Sequence, residues 1–211
     1  MSEVKTNEQV ELVGVDRSIK IYGNITQDSV ESVLDQLWDI EAFDAEFLRT
    51  CGDATQLMPV VIDIFSHGGC AFSCQAIIDT LLSLKCPIIC RAYGSVQSAA
   101  FLIYLAGDIR LAGKHTTMMT HEVSYDVGMN NFKVQKQELS EFSRMQKRMN
   151  DFVISRTTIT EEDLEQWAGS EKYFDWDEAF EYGIVTDDLD LDFMYRVDWL
   201  GLGEEEQENE E

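Results

Sequence analysis

The sequence predicts an α/β fold with a parallel β-sheet, and three observations support this. Residues 60–65 form a short, nearly continuous apolar run, which is typical of a strand covered on both faces. Segments with helical periodicity alternate with such runs along the chain. Glycine-containing turns separate them. Strand, helix and strand in this order require right-handed crossover connections, which make neighbouring strands parallel.

The first strand and helix are predicted close to the N-terminus. Residues 18–22 alternate between polar and apolar side chains and are followed by Gly23, so we expect a strand and a turn. A helix is expected from Thr26, with Thr26 or Asp28 as its cap. Residues 46–57 are expected to form a loop. The apolar positions that share one face of this helix are Val30, Val33, Leu34 and Leu37.

The middle of the chain continues the alternation. The strand at 60–65 ends in the turn Ser66-His67-Gly68-Gly69, and a helix is predicted over 72–84. The next strand is predicted over 88–92, and Gly94 is expected to end it. A third helix is predicted from about Gln97 to Gly107.

The C-terminal half adds two short strands and more helices. Strands are predicted over 109–111 and 117–120, followed by a loop containing Gly128. Helical periodicity then runs from 132 to 156, which corresponds to a helix about 37 Å long. Part of so long a helix is expected to project from the domain.

Two short helices and an acidic tail complete the predicted domain. The first short helix starts after the capping residue Thr160, and the second covers 175–182 and ends at Gly183. We expect a flexible segment over 1–16, a single domain over 17–200 and a disordered acidic tail over 201–211.

Composition excludes several classes of function. The chain has 211 residues with 16 basic and 40 acidic side chains, a net charge of -24, so nucleic acid and anionic membranes are not expected partners. Neither a signal peptide nor an 18-residue apolar window is visible, and a reducing cytoplasmic location is expected. The cysteines are odd in number and lack a Cys-x-x-Cys pair, which argues against zinc. They are Cys51, Cys70, Cys74, Cys86 and Cys90.

Ser98 and His121 are the residues best suited to chemistry. His121 is one of three histidines and directly follows a predicted strand, where an imidazole can face a cleft and transfer protons. Ser98 stands where a strand gives way to a helix, so the following backbone N–H can donate to an oxyanion. A serine at this position is more commonly a helix cap, and Ser95 could equally fill that role.

Four segments together resemble the Clp protease proteolytic subunit. They are the glycine turn after residues 60–65, the helix start GSVQSAAFLIYLAG, the segment MMTHE and the segment YFDWDEAFEYGIV. The resemblance covers residues 17 to 187. It implies the ClpP/crotonase-like fold, in which 132–156 would be the projecting handle helix, and the activity of a serine endopeptidase without a cofactor or metal.

The resemblance also implies the roles of individual residues. Ser98 would be the nucleophile and His121 its base, with the backbone N–H groups of Gly68 and Ala99 as the oxyanion hole. The family's third catalytic residue is Asp, whereas this chain has Glu171 at that position. A glutamate can orient an imidazole, but Asp175 is a nearby alternative, and a solvated loop acid is a further interpretation of Glu171.

Other departures from the family lie around the site. His67 stands where the family usually has Pro before the double glycine. Gln97 and Ala99 flank Ser98 where Ala and Met are usual. An inactive ring component is therefore an alternative function. A crotonase-type acyl-CoA enzyme is another, and it would not need Ser98 and His121 together.

The resemblance further implies partners. The family assembles as stacked heptameric rings and receives unfolded protein substrates from a hexameric ATP-driven unfoldase. The chain has no GxxxxGK[ST] phosphate loop, so any ATP use would belong to a partner.

Overall fold

The computed structural model describes residues 14–52, 56–125 and 131–189. The acidic tail at 201–211, the loop around Gly128 and most of the segment predicted as flexible over 1–16 lie outside the described residues. None of the described helices is long and apolar enough to cross a membrane.

The described chain contains seven strands and six helices, and most lie close to their predicted positions. In chain order they are β1 (Ser18–Tyr22), α1 (Gln27–Cys51), β2 (Val60–Ser66), α2 (Ala71–Ser83), β3 (Ile88–Gln97), α3 (Ala99–Leu105), β4 (Ile109–Ala112), β5 (Thr117–Thr120), α4 (Phe132–Arg156), α5 (Glu161–Trp167), β6 (Lys172–Phe174), α6 (Trp176–Glu181) and β7 (Asp187–Asp188).

The sheet confirms the predicted α/β class. Its main path runs β1-β2-β3-β4-β7 with all neighbours parallel. Strand β3 has two partners on one side: Ile89–Ala92 pairs with β4, whereas Ser95–Gln97 pairs with β5. Strand β6 then joins β5 in the one antiparallel pairing of the described sheet. The far end of β3 is therefore held between β2 and β5.

The prediction that Gly94 ends the third strand was wrong. Strand β3 continues through Gly94 to Gln97, and its register against β2 shifts between Ile64 and Ser66. Gly94 has φ of 58° and lies against the Phe65 ring, where a Cβ would come within 3.1 Å of Cε2. The glycine thus bends the strand without breaking it.

The predicted loop over 46–57 was also wrong in its first part, because α1 continues to Cys51. Phe43 and Phe47 stack with ring centroids 6.1 Å apart, and Phe47 packs against the core. Asp44 is buried and receives two hydrogen bonds from the Arg17 guanidinium, at 2.7 and 2.9 Å. These tertiary contacts favour continuation of the helix over residues 46–51, which the sequence pattern did not indicate.

Helix α3 lies at the centre of the core. All seven of its residues are buried, and it packs against β2, β3 and α2. Its last carbonyls are satisfied by arginine side chains, since Arg156 donates to the carbonyls of Leu105, Ala106 and Gly107. A helix fixed in this way provides a rigid base for the residue that precedes it.

Arg110 is buried, and among the described residues the hydrogen bonds of its guanidinium all go to carbonyl oxygens. Its guanidinium joins the end of α3 to the end of α4 and to the segment after α6. The acceptors are the carbonyls of Gly107, Arg156, Gly183 and Ile184.

Replacing Arg110 with Met is expected to lower the free energy of unfolding by about 3 kcal/mol, because several buried carbonyls lose their donor. Arg144→Met is the matched control, since Arg144 forms an exposed ion pair with Glu141 and its loss costs at most about 1 kcal/mol. Urea unfolding followed by circular dichroism measures both. Equal effects of the two substitutions would contradict this account.

Candidate active site

Ser98 lies in a strained turn between β3 and α3. Its φ is 53° and its ψ is -123°, and it is the one non-glycine residue with positive φ among those described. Such a conformation is costly for an L-residue and persists only where the surroundings enforce it. Its N–H donates to the carbonyl of Met119 on β5 at 2.8 Å, which ties the turn to the neighbouring strand. Strained conformations of this kind cluster at active sites, so Ser98 is a candidate functional residue.

His121 lies beside Ser98 because β3 and β5 are parallel neighbours. Gln97 pairs with Met119, so the residues that follow the two strands emerge at the same edge of the sheet. His121 Nε2 is 2.8 Å from Ser98 Oγ, although the two residues are 23 positions apart in the chain. This distance suits transfer of the hydroxyl proton to the imidazole.

The other two histidines make different contacts. His67 is exposed, and its Nδ1 is 3.4 Å from Ser95 Oγ. His115 is exposed in the turn between β4 and β5. Among the three histidines, only His121 contacts Ser98.

Backbone N–H groups next to Ser98 are available to a ligand. Neither Ala99, the first residue of α3, nor Gly69 has an acceptor for its N–H among the described residues. The N–H of Gly68 is different, because it donates to Ser66 Oγ at 3.0 Å. Ser66 Oγ in turn donates to the carbonyl of Gly23 at 2.5 Å and so fixes the glycine turn.

Gly68 packs directly behind Ser98. A Cβ at Gly68 would lie 2.8 Å from the Ser98 Cβ and 2.9 Å from the Ala99 nitrogen. Its φ of 96° also favours glycine. The double glycine therefore brings the β2–α2 turn against the Ser98 turn, and Gly69, not Gly68, faces the cavity in front of Ser98.

A cavity of about 360 Å³ opens in front of the pair. Ser98, Ala99, His121 and Gly69 line one part of it. The part contributed by α3, α4 and α5 is mainly apolar and includes Leu102, Phe142, Met149, Val153, Leu164 and Trp167. The cavity can accept an apolar side chain next to the serine hydroxyl.

Comparisons with known proteins identify the family. The model of the Clp protease family matches residues 2–189. The chain belongs to the Clp protease family. It is also 26% identical, over 153 residues, to the ATP-dependent Clp protease proteolytic subunit 3 of Rhodococcus jostii (strain RHA1), covering 69% of this chain and 75% of that protein.

A solved structure supports the same assignment of fold. A point mutant of ClpP1 from Listeria monocytogenes superposes with a TM-score of 0.66 at 26% identity, covering 82% of this chain and 91% of that chain. The expected Clp protease fold is therefore confirmed.

Glu171, which the sequence resemblance matched to the family's catalytic acid, directly precedes β6 and hydrogen-bonds to Tyr173. Strands β5 and β6 pair Met119 with Tyr173 and Thr120 with Lys172, and this antiparallel register, continued by one residue, would bring His121 opposite Glu171. Residues directly opposite share a face of the sheet with Cα atoms about 5 Å apart. The carboxylate of Glu171 nevertheless accepts a hydrogen bond from the Tyr173 hydroxyl at 2.8 Å. Among the described residues, the only hydrogen-bond partner of the His121 ring is Ser98.

Asp175 has a separate role at the other end of β6. Its carboxylate caps α6 by accepting a hydrogen bond from the Glu178 N–H at 2.9 Å. It is four positions along the chain from Glu171, which is about 13 Å when the chain is extended. Asp175 therefore lies far from the position opposite His121.

Two side chains that the sequence analysis missed hold the segment after His121. Glu122 accepts a hydrogen bond from the Gly169 N–H at 2.8 Å, and Gln146 on α4 accepts one from the Val123 N–H at 2.6 Å. Both are polar residues with other polar residues near them in the sequence. No periodicity or spacing therefore distinguishes them from ordinary surface residues. Their contacts fix the backbone on the far side of His121.

Cys70 is a further residue of the cavity that the sequence analysis did not single out. It is the N-cap of α2, and interaction with the Ser73 hydroxyl, and then with the Ser73 backbone, lowers the pKa of its thiol. By contrast, burial raises the pKa of Cys74 and raises the pKa of Cys90 to about 12.

In the described part of the chain, no three His, Cys, Asp or Glu side chains are grouped to hold a metal ion.

Iodoacetamide at pH 7 is expected to alkylate Cys70 at least about tenfold faster than Cys74 or Cys90 in the folded protein, because a lower pKa leaves more thiolate and Cys70 is accessible. Peptide mapping by mass spectrometry at several times gives the separate rates. Reaction in urea is the control, where the three rates should converge. Equal rates in the folded protein would contradict the assigned environments.

Proposed function

We propose that this Clp family member is a serine endopeptidase that uses Ser98 as nucleophile, His121 as general base and Glu171 as the acid that orients His121. The observation that carries the proposal is the 2.8 Å contact between Ser98 Oγ and His121 Nε2, in a strained turn beside unengaged N–H groups. A nucleophile, its base and candidate oxyanion donors thus lie together beside one cavity.

The proposed reaction has two stages. His121 Nε2 takes the proton of Ser98 as Oγ attacks the peptide carbonyl carbon. The tetrahedral intermediate collapses to an acyl-enzyme, and His121 donates its proton to the departing amine. Water then attacks the ester with His121 again as base, which releases the carboxylic acid and restores the Ser98 hydroxyl.

The oxyanion would be held by the N–H groups of Ala99 and Gly69. Gly69 replaces Gly68 in this assignment, because the Gly68 N–H donates to Ser66 Oγ and Gly69 lines the cavity. Gly68 instead keeps the two turns in contact. Loss of one oxyanion donor typically lowers the rate by about 100- to 1000-fold.

Glu171 is preferred over Asp175 as the acid. Continuing the β5–β6 register brings Glu171 opposite His121, whereas Asp175 is engaged as a helix cap. The extra methylene of glutamate gives the carboxylate enough reach to leave the Tyr173 hydroxyl for the imidazole by rotation about its side-chain bonds.

The cavity supports peptides with an apolar side chain beside the scissile bond. Leu102, Met149 and Trp167 would surround that side chain, and burying a leucine-sized group gains about 2 kcal/mol. Unfolded polypeptides expose such side chains, whereas folded proteins bury them. This favours unfolded chains as the substrate.

The assembly is proposed from the family and from α4. Stacked heptameric rings would enclose the sites, and a hexameric ATP-driven unfoldase would deliver substrate. Phe132 and Leu139 on α4 are 80% and 51% exposed, so this helix carries apolar surface that a neighbouring subunit would cover. The Rhodococcus relative is described as a subunit of an ATP-dependent protease. The cytoplasmic location stays a prediction.

One observation favours a second function, that of an inactive ring component. Glu171 bonds to Tyr173 and not to His121, so the site lacks an oriented imidazole in this conformation. The crotonase-type alternative gains no support, because it gives no reason for the contact between Ser98 and His121.

Hydrolysis of a short fluorogenic peptide with an apolar residue before the scissile bond tests the proposed activity. Ser98→Ala should lower kcat by at least about a thousandfold, and Glu171→Gln by about a hundredfold or more, because the imidazole loses its orienting charge. Asp175→Asn is the matched control and should stay within about twofold, since Asn also caps helices. Equal loss in the two acid variants would remove the assignment to Glu171, and hydrolysis that survives Ser98→Ala would reject the proposed activity.

Sedimentation velocity tests the proposed assembly. The wild type should sediment as a large oligomer, and Leu139→Glu in α4 should weaken it, because a charge is costly in a dry interface. Glu138→Gln, on the neighbouring position of the same helix, is the control and should preserve the oligomer. A wild type that remains monomeric at high protein concentration would contradict the ring assignment.

A further inference from the structure

The Tyr173 hydroxyl has no role in the mechanism proposed above, but it contacts the candidate acid. It donates to Glu171 Oε2 at 2.8 Å, and Glu171 directly precedes β6, two positions before Tyr173. The Tyr173 ring is 46% exposed and pairs across the strands with Met119. The hydroxyl is thus not required to satisfy a buried polar group, and its main described contact is the candidate catalytic acid.

Two hydrogen-bond donors are available to one carboxylate. One is the Tyr173 hydroxyl, which donates to Glu171, and the other is the His121 ring, which the β5–β6 register, continued by one residue, brings to the adjacent position. Because His121 Nε2 forms the hydrogen bond with Ser98 Oγ, the other ring nitrogen, Nδ1, is available to donate to a carboxylate. The two contacts compete for the same oxygens on the same face of the strands.

We propose that Tyr173 is a positioning residue that holds Glu171 in a resting conformation away from His121, and that release of this hydrogen bond completes the catalytic site. The inference rests on the proposed function. Because Glu171 is exposed, its side chain can rotate without disturbing the core. The equilibrium between the two contacts then sets the fraction of molecules with an oriented imidazole.

In the part of the chain that the structure describes, the Tyr173 hydroxyl is the one hydrogen-bond partner of the Glu171 carboxylate. Glu122 is held by the Gly169 N–H at 2.8 Å, and Lys172, on the opposite face of β6, bonds Glu178 at 2.9 Å. Asp175 caps α6. The choice for Glu171 therefore lies between the phenol and the imidazole. Consistent with this contact, the bond to Glu171 raises the pKa of the Tyr173 phenol.

Tyr173→Phe removes the hydroxyl and keeps the ring, so it tests the proposal with little risk to folding. The variant should hydrolyse the fluorogenic peptide with a kcat about three- to tenfold above wild type and with little change in KM, because more molecules carry the completed site. The acid limb of the kcat/KM profile should move to higher pH, since a nearby carboxylate stabilises the protonated imidazole. A residue that only supports the fold would not raise kcat or move this limb.

Two further variants make the test specific. Tyr173→Phe combined with Glu171→Gln should show no gain over Glu171→Gln alone, because the effect passes through the carboxylate. Tyr22→Phe, which removes another exposed tyrosine hydroxyl on β1, should match wild type.

The outcomes separate the two proposals. If Tyr173→Phe is no faster than wild type, or if its gain persists without the Glu171 carboxylate, the role of Tyr173 is wrong while the peptidase proposal stands. If Ser98→Ala hydrolyses the peptide as fast as wild type, or if neither wild type nor Tyr173→Phe hydrolyses it, the peptidase proposal fails and the role of Tyr173 fails with it.

Discussion

The backbone conformation of Ser98 is the constraint on which the site depends. An L-residue with φ of 53° must be held by its surroundings, and here three elements do so. Strand β5 accepts the Ser98 N–H at Met119, the glycine turn packs at Gly68 against the serine Cβ, and α3 begins at the next residue. Together these contacts direct the hydroxyl towards His121 at the edge of the sheet.

The rest of the fold keeps this turn in position. Helix α3 is buried along its whole length, and Arg156 and Arg110 satisfy the carbonyls at its C-terminal end. The register shift in β3 allows the strand to pair with β4 first and with β5 afterwards. Consequently His121, which directly follows β5, reaches Ser98, and Glu171 directly precedes the next strand, β6.

Much of this arrangement could be predicted from the sequence, because periodicity and glycine turns mark strands and helices directly. The helix at 132–156 and the caps at Thr26 and Thr160 follow from local patterns. Features that depend on distant contacts could not be predicted. The packing of Phe47 against the core extends α1 past its expected end. The Gly68 N–H donates to Ser66, and for this reason Gly69 is proposed as the oxyanion donor instead of Gly68. The bond between Tyr173 and Glu171 depends on side-chain geometry, which no spacing reveals.

The central claim is that Ser98 is a nucleophile activated by His121. The most direct test is reaction of the folded protein with a fluorophosphonate, followed by peptide mapping to locate the modified residue. The account predicts one adduct, on Ser98, whose formation is slowed at least about a hundredfold by His121→Ala. A folded protein that forms no adduct at Ser98, or one that reacts equally fast without His121, would contradict it.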